Sequence, residues 1–235
     1  MAAPLSRRGF VKSASIGIAA AVAKPFGASA LATEHTAGAT IKPQEALKLL
    51  MAGNRRWVTG RARHPNQSVK RRLALRNEQH PFATVFSCID SRVPPELVFD
   101  RGIGDLAVMR TGAQVLDKGV VLGSVEFGPD HLGTPLILVM GHQRCGAVTA
   151  TIETIKSGHK APGHIQSVVD ALRPAYLVAV KQTGDLVDNM VRAQTKLTVK
   201  RLKNDPLIKK FLSGGALKVA GGYYSLDTGA VSIIA

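Results

Sequence analysis

Only two cysteines occur in the 235 residues of this chain, and each sits in a short motif with other groups able to do chemistry. In "SCIDSRV" (87–93) Cys88, Asp90 and Arg92 stand at alternate positions; in "GHQRCGAV" (141–148) His142 and Cys145 are three apart. Two thiolates and one imidazole are a natural set of zinc ligands, and three protein ligands leave a fourth position open to solvent. The plainer reading makes both cysteines small core side chains and His142 a loop residue. His-x-x-Cys after one strand and Cys-x-Asp-x-Arg after another favour the metal. A carboxylate beside the open position can orient bound solvent, and an arginine fork holds that carboxylate ionised and fixed. With the chain extended beyond Cys88, Asp90 and Arg92 would point the same way, beside the metal and beside each other.

Such a centre needs elements that bring Cys88 and His142, 54 positions apart, to one place. "FATVFS" (82–87), "DLAVM" (105–109) and "TPLILVMG" (134–141) are short apolar runs, the pattern of strands buried on both faces of a parallel sheet. Helices are predicted from Pro43 over Leu47, Leu50, Met51, Asn54 and Trp57, from Val69 to Gln79, within "VPPELVFD", and over 117–127, 145–156, 165–180 and 184–204. The terminal "ALKVAGGYYSLDTGAVSIIA" reads as two strands around a turn at Asp227, Thr228 and Gly229. This alternation predicts one α/β domain, residues 43–235. Its central, mostly parallel sheet is flanked by helices, with an antiparallel C-terminal edge strand and an N-terminal helical arm. Ligands collect outside the carboxyl ends of such strands, where Cys88, His142 and Cys145 all fall. Cys145 would open a helix, whose N–H groups favour a thiolate.

The first 32 residues read differently. Arg7 and Arg8, then Phe10 and Lys12, precede a short apolar stretch and an Ala30-x-Ala32 ending. This is the form of a cleavable export signal of the twin-arginine type, which carries folded proteins to the periplasm or cell exterior. Residues 33–42 form a linker. No apolar run reaches the ~18–20 residues of a spanning helix. Without the signal the net charge falls from +15 to +11. Eight Lys or Arg and no acid lie between Arg55 and Arg76. That run lacks the aromatic interleaving of a base-stacking platform, so nucleic acid is not the expected partner.

"CIDSRVPPELVFDRGIGDLAVMRTGAQV", "GHQRCGAV" and "AGGYYSLDTGAV" together resemble the β-class carbonic anhydrases, from about Pro43 to the C-terminus. The resemblance implies a zinc enzyme interconverting carbon dioxide and bicarbonate. Its metal ligands fall on Cys88, His142 and Cys145, its catalytic dyad on Asp90 and Arg92, and its substrate contacts on Gln79 and Gly146. It also implies a homodimer or higher even-numbered oligomer, with the helix around 43–58 embracing a partner. In some relatives the counterpart of Asp90 swings in to close the metal site.

The chain departs from the family at three places. Ala107 stands where an aromatic usually walls the carbon dioxide pocket, and Arg110-Thr111-Gly112-Ala113-Gln114 replaces an R-x-A-G-N/H pattern. Val85 stands where the bicarbonate-inhibited branch has tryptophan, which argues against that inhibitory site. Two other functions fit the residues: zinc hydrolysis of carbon disulfide or carbonyl sulfide, and a structural zinc in a polyanion-binding protein.

Overall fold

The apolar runs become the middle of a five-stranded sheet. The structure, a computed structural model, describes residues 41–235; the expected signal peptide and all but the end of the linker lie outside the described residues. Its strands are β1 (Ala83–Cys88), β2 (Leu106–Thr111), β3 (Leu136–His142), β4 (Lys218–Tyr224) and β5 (Val231–Ile233). They are ordered β2-β1-β3-β4-β5, the first four parallel and β5 antiparallel to β4. Every residue of β1 and β3 is buried. Val85, Leu138 and Met140 pack with Leu47 and Leu50, and Phe86, Ile137 and Val139 pack with Val125, Leu202 and Ile208. Alternate residues thus serve opposite layers, which is why the runs are apolar throughout.

The helices are α1 (Pro43–Val58), α2 (Val69–Ala74), α3 (Pro95–Val98), α4 (Val120–His131), α5 (Gly146–Ser157), α6 (Ile165–Ala179), α7 (Leu186–Lys203) and α8 (Pro206–Ser213). Two boundaries differ from expectation. α2 stops at Ala74, not Gln79; Pro81 disfavours helix at His80, and the segment after α2 leads instead into β1. α8 was not expected: Asp205 ends α7's connection and caps a new helix, accepting from Leu207 N and Ile208 N at 3.0 Å each. Among the described residues no helix is long and apolar enough to cross a membrane.

α1 buries Ala46, Leu47, Leu50, Gly53 and Asn54 against its own chain, so only its other face is open to a partner. Asn54 is the polar pin of this contact. Its Nδ2 donates to the carbonyls of Val98 (3.1 Å) and Gly229 (2.8 Å), and its Oδ1 accepts from Val231 N (2.9 Å). Asn54→Ala would leave three backbone groups without partners. The expected cost is about 2–4 kcal/mol, read as a lower midpoint in guanidinium denaturation. The basic run is partly structural too: Arg56 pairs with Asp100 at 2.5 Å and Arg71 with Asp105 at 3.6 Å.

Candidate metal centre

Parallel pairing of β1 with β3 brings the ends of the two motif-bearing strands together. Cys88 is the last residue of β1, His142 the last of β3, and Cys145 caps the N-terminus of α5. Their ligating atoms all lie within 4.8 Å of one another and all three side chains are buried. The two sulfurs are 3.8 Å apart. Two Zn–S bonds of ~2.3 Å meeting at a tetrahedral angle span about 3.8 Å, so the spacing suits that ion.

The histidine supplies a sharper test. His142 Nδ1 lies 3.0 Å from the Gln143 carbonyl oxygen, which can only accept, so Nδ1 carries the proton. Nε2 then presents a lone pair, and it is buried without a hydrogen-bond partner. An orphaned imidazole nitrogen facing two sulfurs is costly unless something electrophilic sits between them. The residues fit a soft divalent metal.

The sulfurs are prepared for it. The Cys88 thiol is pulled down to about 4, first by the Cys145 thiol donating to it. The N–H groups of Asp90 and Ala113 add to this, against the effect of burial. Cys145, the donor of that pair, is pushed up by Cys88 and by burial, while the N–H groups of Val148 and Ala147 at the start of α5 pull the other way. A cation between the two sulfurs would take the place of the thiol proton.

Asp90 stands next to this cluster, its Oδ2 3.9 Å from His142 Nε2. Arg92 holds it in a fork, Nε to Oδ1 at 2.9 Å and Nη2 to Oδ2 at 2.7 Å. The Arg92 guanidinium is the main reason the Asp90 carboxyl is held near 2. The extended backbone expected here is not what joins them. Val93 N donates to Asp90 O (3.1 Å) and Arg92 N to Asp90 Oδ1 (2.9 Å), so the chain turns, and the turn lays Arg92 back on Asp90. Arg92 also reaches the Arg144 carbonyl at 3.3 Å, tying the two motifs together.

Gly146 is exposed at the rim, and a Cβ built on it would meet nothing within 4 Å. Gln79 is not brought to the cluster by its own chain. It is exposed on the segment before β1, whose six residues separate it from Cys88 by roughly 20 Å of strand. Ala107 likewise cannot wall its own chain's centre: it pairs with Thr84, four residues before the Cys88–Thr111 pair, on the half-exposed edge strand β2.

Residues 83–231 match the carbonic anhydrase family profile. Carbonic anhydrase 2 of Mycobacterium tuberculosis is 40% identical over 188 residues, which is 80% of this chain and 90% of that protein. The Coccomyxa β-carbonic anhydrase solved in complex with acetazolamide superposes with a TM-score of 0.64 at 26% identity, over 80% of this chain and 86% of that one. The chain belongs to the β-carbonic anhydrases. It is thus an enzyme of that family, with the family's fold. The β-carbonic anhydrase CcaA shares the fold at TM-score 0.65 and 23% identity, over 80% of this chain and 94% of that one.

Within this family frame, two contributors were not legible in the motifs. Arg110, next to Ser87 in the β1–β2 register, donates from Nε to the Cys88 carbonyl (2.8 Å) and from Nη2 to the Asp90 carbonyl. It clamps the backbone on both sides of Ile89. Ala113 donates its N–H to Cys88 Sγ at 3.3 Å, from a left-handed backbone at φ 50°. Arg110→Leu is expected to keep the fold but weaken metal retention about 10–100-fold, measured by competition with a chelator. Unchanged retention would reduce Arg110 to a packing role.

Proposed function

We propose that this chain catalyses the reversible hydration of carbon dioxide to bicarbonate and a proton, with one zinc ion held by Cys88, His142 and Cys145. The observation that carries this reading is the buried, unpartnered Nε2 of His142 facing two sulfurs 3.8 Å apart, beside a carboxylate already clamped by arginine. Zinc in such a set supplies Lewis acidity that makes hydroxide available near neutral pH. Asp90 accepts the nucleophile's hydrogen at Oδ2 and aims its lone pair; Arg92 keeps that oxygen charged and stationary. The open space over Gly146 leaves room for a small linear substrate against the start of α5.

Gln79 belongs to the substrate contacts only if a second copy delivers it, since its own chain keeps it at the far end of β1. A homodimer or higher even-numbered assembly is therefore part of the proposal. Exposed apolar side chains support it: Val69, Leu73 and Ile103 around α2, and Ile89 beside the metal ligands. Export by the twin-arginine route is proposed for residues 1–32. Changing Arg7 and Arg8 to lysine together is expected to hold the protein in the cytoplasm; normal export in cell fractionation would refute that assignment.

The test of the activity is stopped-flow carbon dioxide hydration on the protein lacking residues 1–32, with zinc measured in the same sample. About one zinc per chain, and a rate that rises on the alkaline side of neutrality, are expected, because two thiolates donate more electron density than imidazoles. Full zinc without hydration would overturn the substrate assignment; hydration without zinc would overturn the mechanism.

A further inference from the structure

Away from the metal centre, a cavity of about 800 Å³ opens between the segment Val115–Lys118, α4, α6 and α7. That volume lies in the ~300–1,000 Å³ range of small-ligand sites. Part of its wall is apolar: Val115, Leu116, Leu122 of α4, Pro174 of α6 and Leu197 of α7 line it beside polar and charged groups. α7 contributes Gln194, Leu197, Thr198 and Arg201, the i, i+3, i+4, i+7 stripe of one helix face.

The charges are lopsided. Lys118, Lys200 and Arg201 line the cavity against a single acid, Asp205. Asp205 is already engaged, its Oδ1 accepting from Leu207 N and Ile208 N at the start of α8. Arg201 is anchored on the Leu116 carbonyl, which fixes its guanidinium at the wall. Lys118 and Lys200 make no ion pair with any described residue.

A buried donor adds a second observation. Thr198 is only 4% exposed, and its hydroxyl oxygen accepts from Gln194 Nε2 at 3.2 Å. Its own O–H donates to no described group, unlike those of Thr151 and Thr195, which return to their helix carbonyls. A buried hydroxyl with an unused hydrogen asks for an acceptor, and the cavity it lines is where one can stand.

We propose that this cavity is a second binding site, for a small organic monoanion with an apolar body, such as a medium-chain carboxylate. The alkyl part lies between Leu122, Pro174 and Leu197. The carboxylate accepts from Thr198 and is neutralised by the flanking cations. Positive charge over an apolar slot excludes cationic amphiphiles and distinguishes the occupant from a neutral alcohol of equal length.

Octanoate is the probe, titrated calorimetrically into the zinc-loaded protein, with octanol and inorganic phosphate as controls. One octanoate per chain is expected, bound at least about tenfold tighter than either control. The Lys118→Glu/Lys200→Glu double variant should weaken it by about tenfold or more, and Leu197→Trp, which fills the slot, should abolish it. Both variants should hydrate carbon dioxide at the unaltered rate. Carboxylates also bind zinc, so the titration is repeated with saturating acetazolamide. Binding that survives the sulfonamide and is lost in the variants supports the site. Absence of binding, equal binding of octanol, indifference to the variants or displacement by acetazolamide overturns it.

Discussion

His142→Ala is expected to leave the protein with well under one zinc per chain and to lower carbon dioxide hydration by at least about 10³-fold. The argument rests on what the ring does in the folded chain. Its Nδ1–H is fixed by the Gln143 carbonyl, its side chain is buried, and its Nε2 lone pair has no hydrogen-bond partner among the described residues. Removing it takes away the only neutral donor of the set. The Cys88 and Cys145 sulfurs remain, 3.8 Å apart. Two ligands hold a divalent ion far less tightly than three. Loss of packing alone could mimic the activity loss, so two controls separate them. Far-ultraviolet circular dichroism of the variant should match the parent. Zinc stripped from the parent by a chelator and returned should restore activity, whereas added zinc should not rescue the variant. Full metal content with normal turnover in His142→Ala would sink the ligand assignment.

What could be read from the chain follows the range of the interactions involved. Strands buried on both faces are written as uninterrupted apolar runs, so β1 and β3 were legible, and with them the side of the sheet where Cys88 and His142 emerge. The three metal-ligand candidates were legible because both cysteines are spent in one place. Arg110 was not, since its hold on the Cys88 and Asp90 carbonyls exists only in the β1–β2 register. The left-handed turn at Ala113 and Gln114 carries no glycine or asparagine to announce it. Its conformation is imposed by contacts from elsewhere: Thr111 Oγ1 donates to Val115 O at 2.9 Å, and Gln114 Nε2 to Thr195 Oγ1 at 3.0 Å. The Ala113 backbone N–H of this turn, which any residue but proline would supply there, donates to Cys88 Sγ. Gln79 shows the converse. The resemblance names Gln79 as a substrate contact, but a single chain gives it no path to the metal ligands.

Asp90→Asn should keep zinc and fold and lose about 10²–10⁴-fold in kcat, with KM little changed. The amide is nearly isosteric, and its oxygen can still accept from Arg92, so the turn from Asp90 to Val93 should survive. What disappears is the charged acceptor beside the open metal position. The pH dependence makes the reading decisive. Arg92 holds the Asp90 carboxyl near 2, below the ordinary 3.8. A depressed value means that the pair's contribution to stability is present above the unfolded value and fades as pH falls toward 2. Across pH 6–9 Asp90 therefore does not titrate, and any inflection there belongs to another group. Asp90→Asn should then lower the height of the rate profile, and the loss of a negative charge beside the metal position should move its inflection to lower pH. In Arg92→Ala, Asp90 stays ionised at neutral pH but loses both its fork and the neighbouring positive charge. Arg92→Lys, which restores the charge without the two-pronged grip, should recover only part of the lost rate. Full activity in Asp90→Asn or in Arg92→Ala would mean that the carboxylate does not orient the nucleophile.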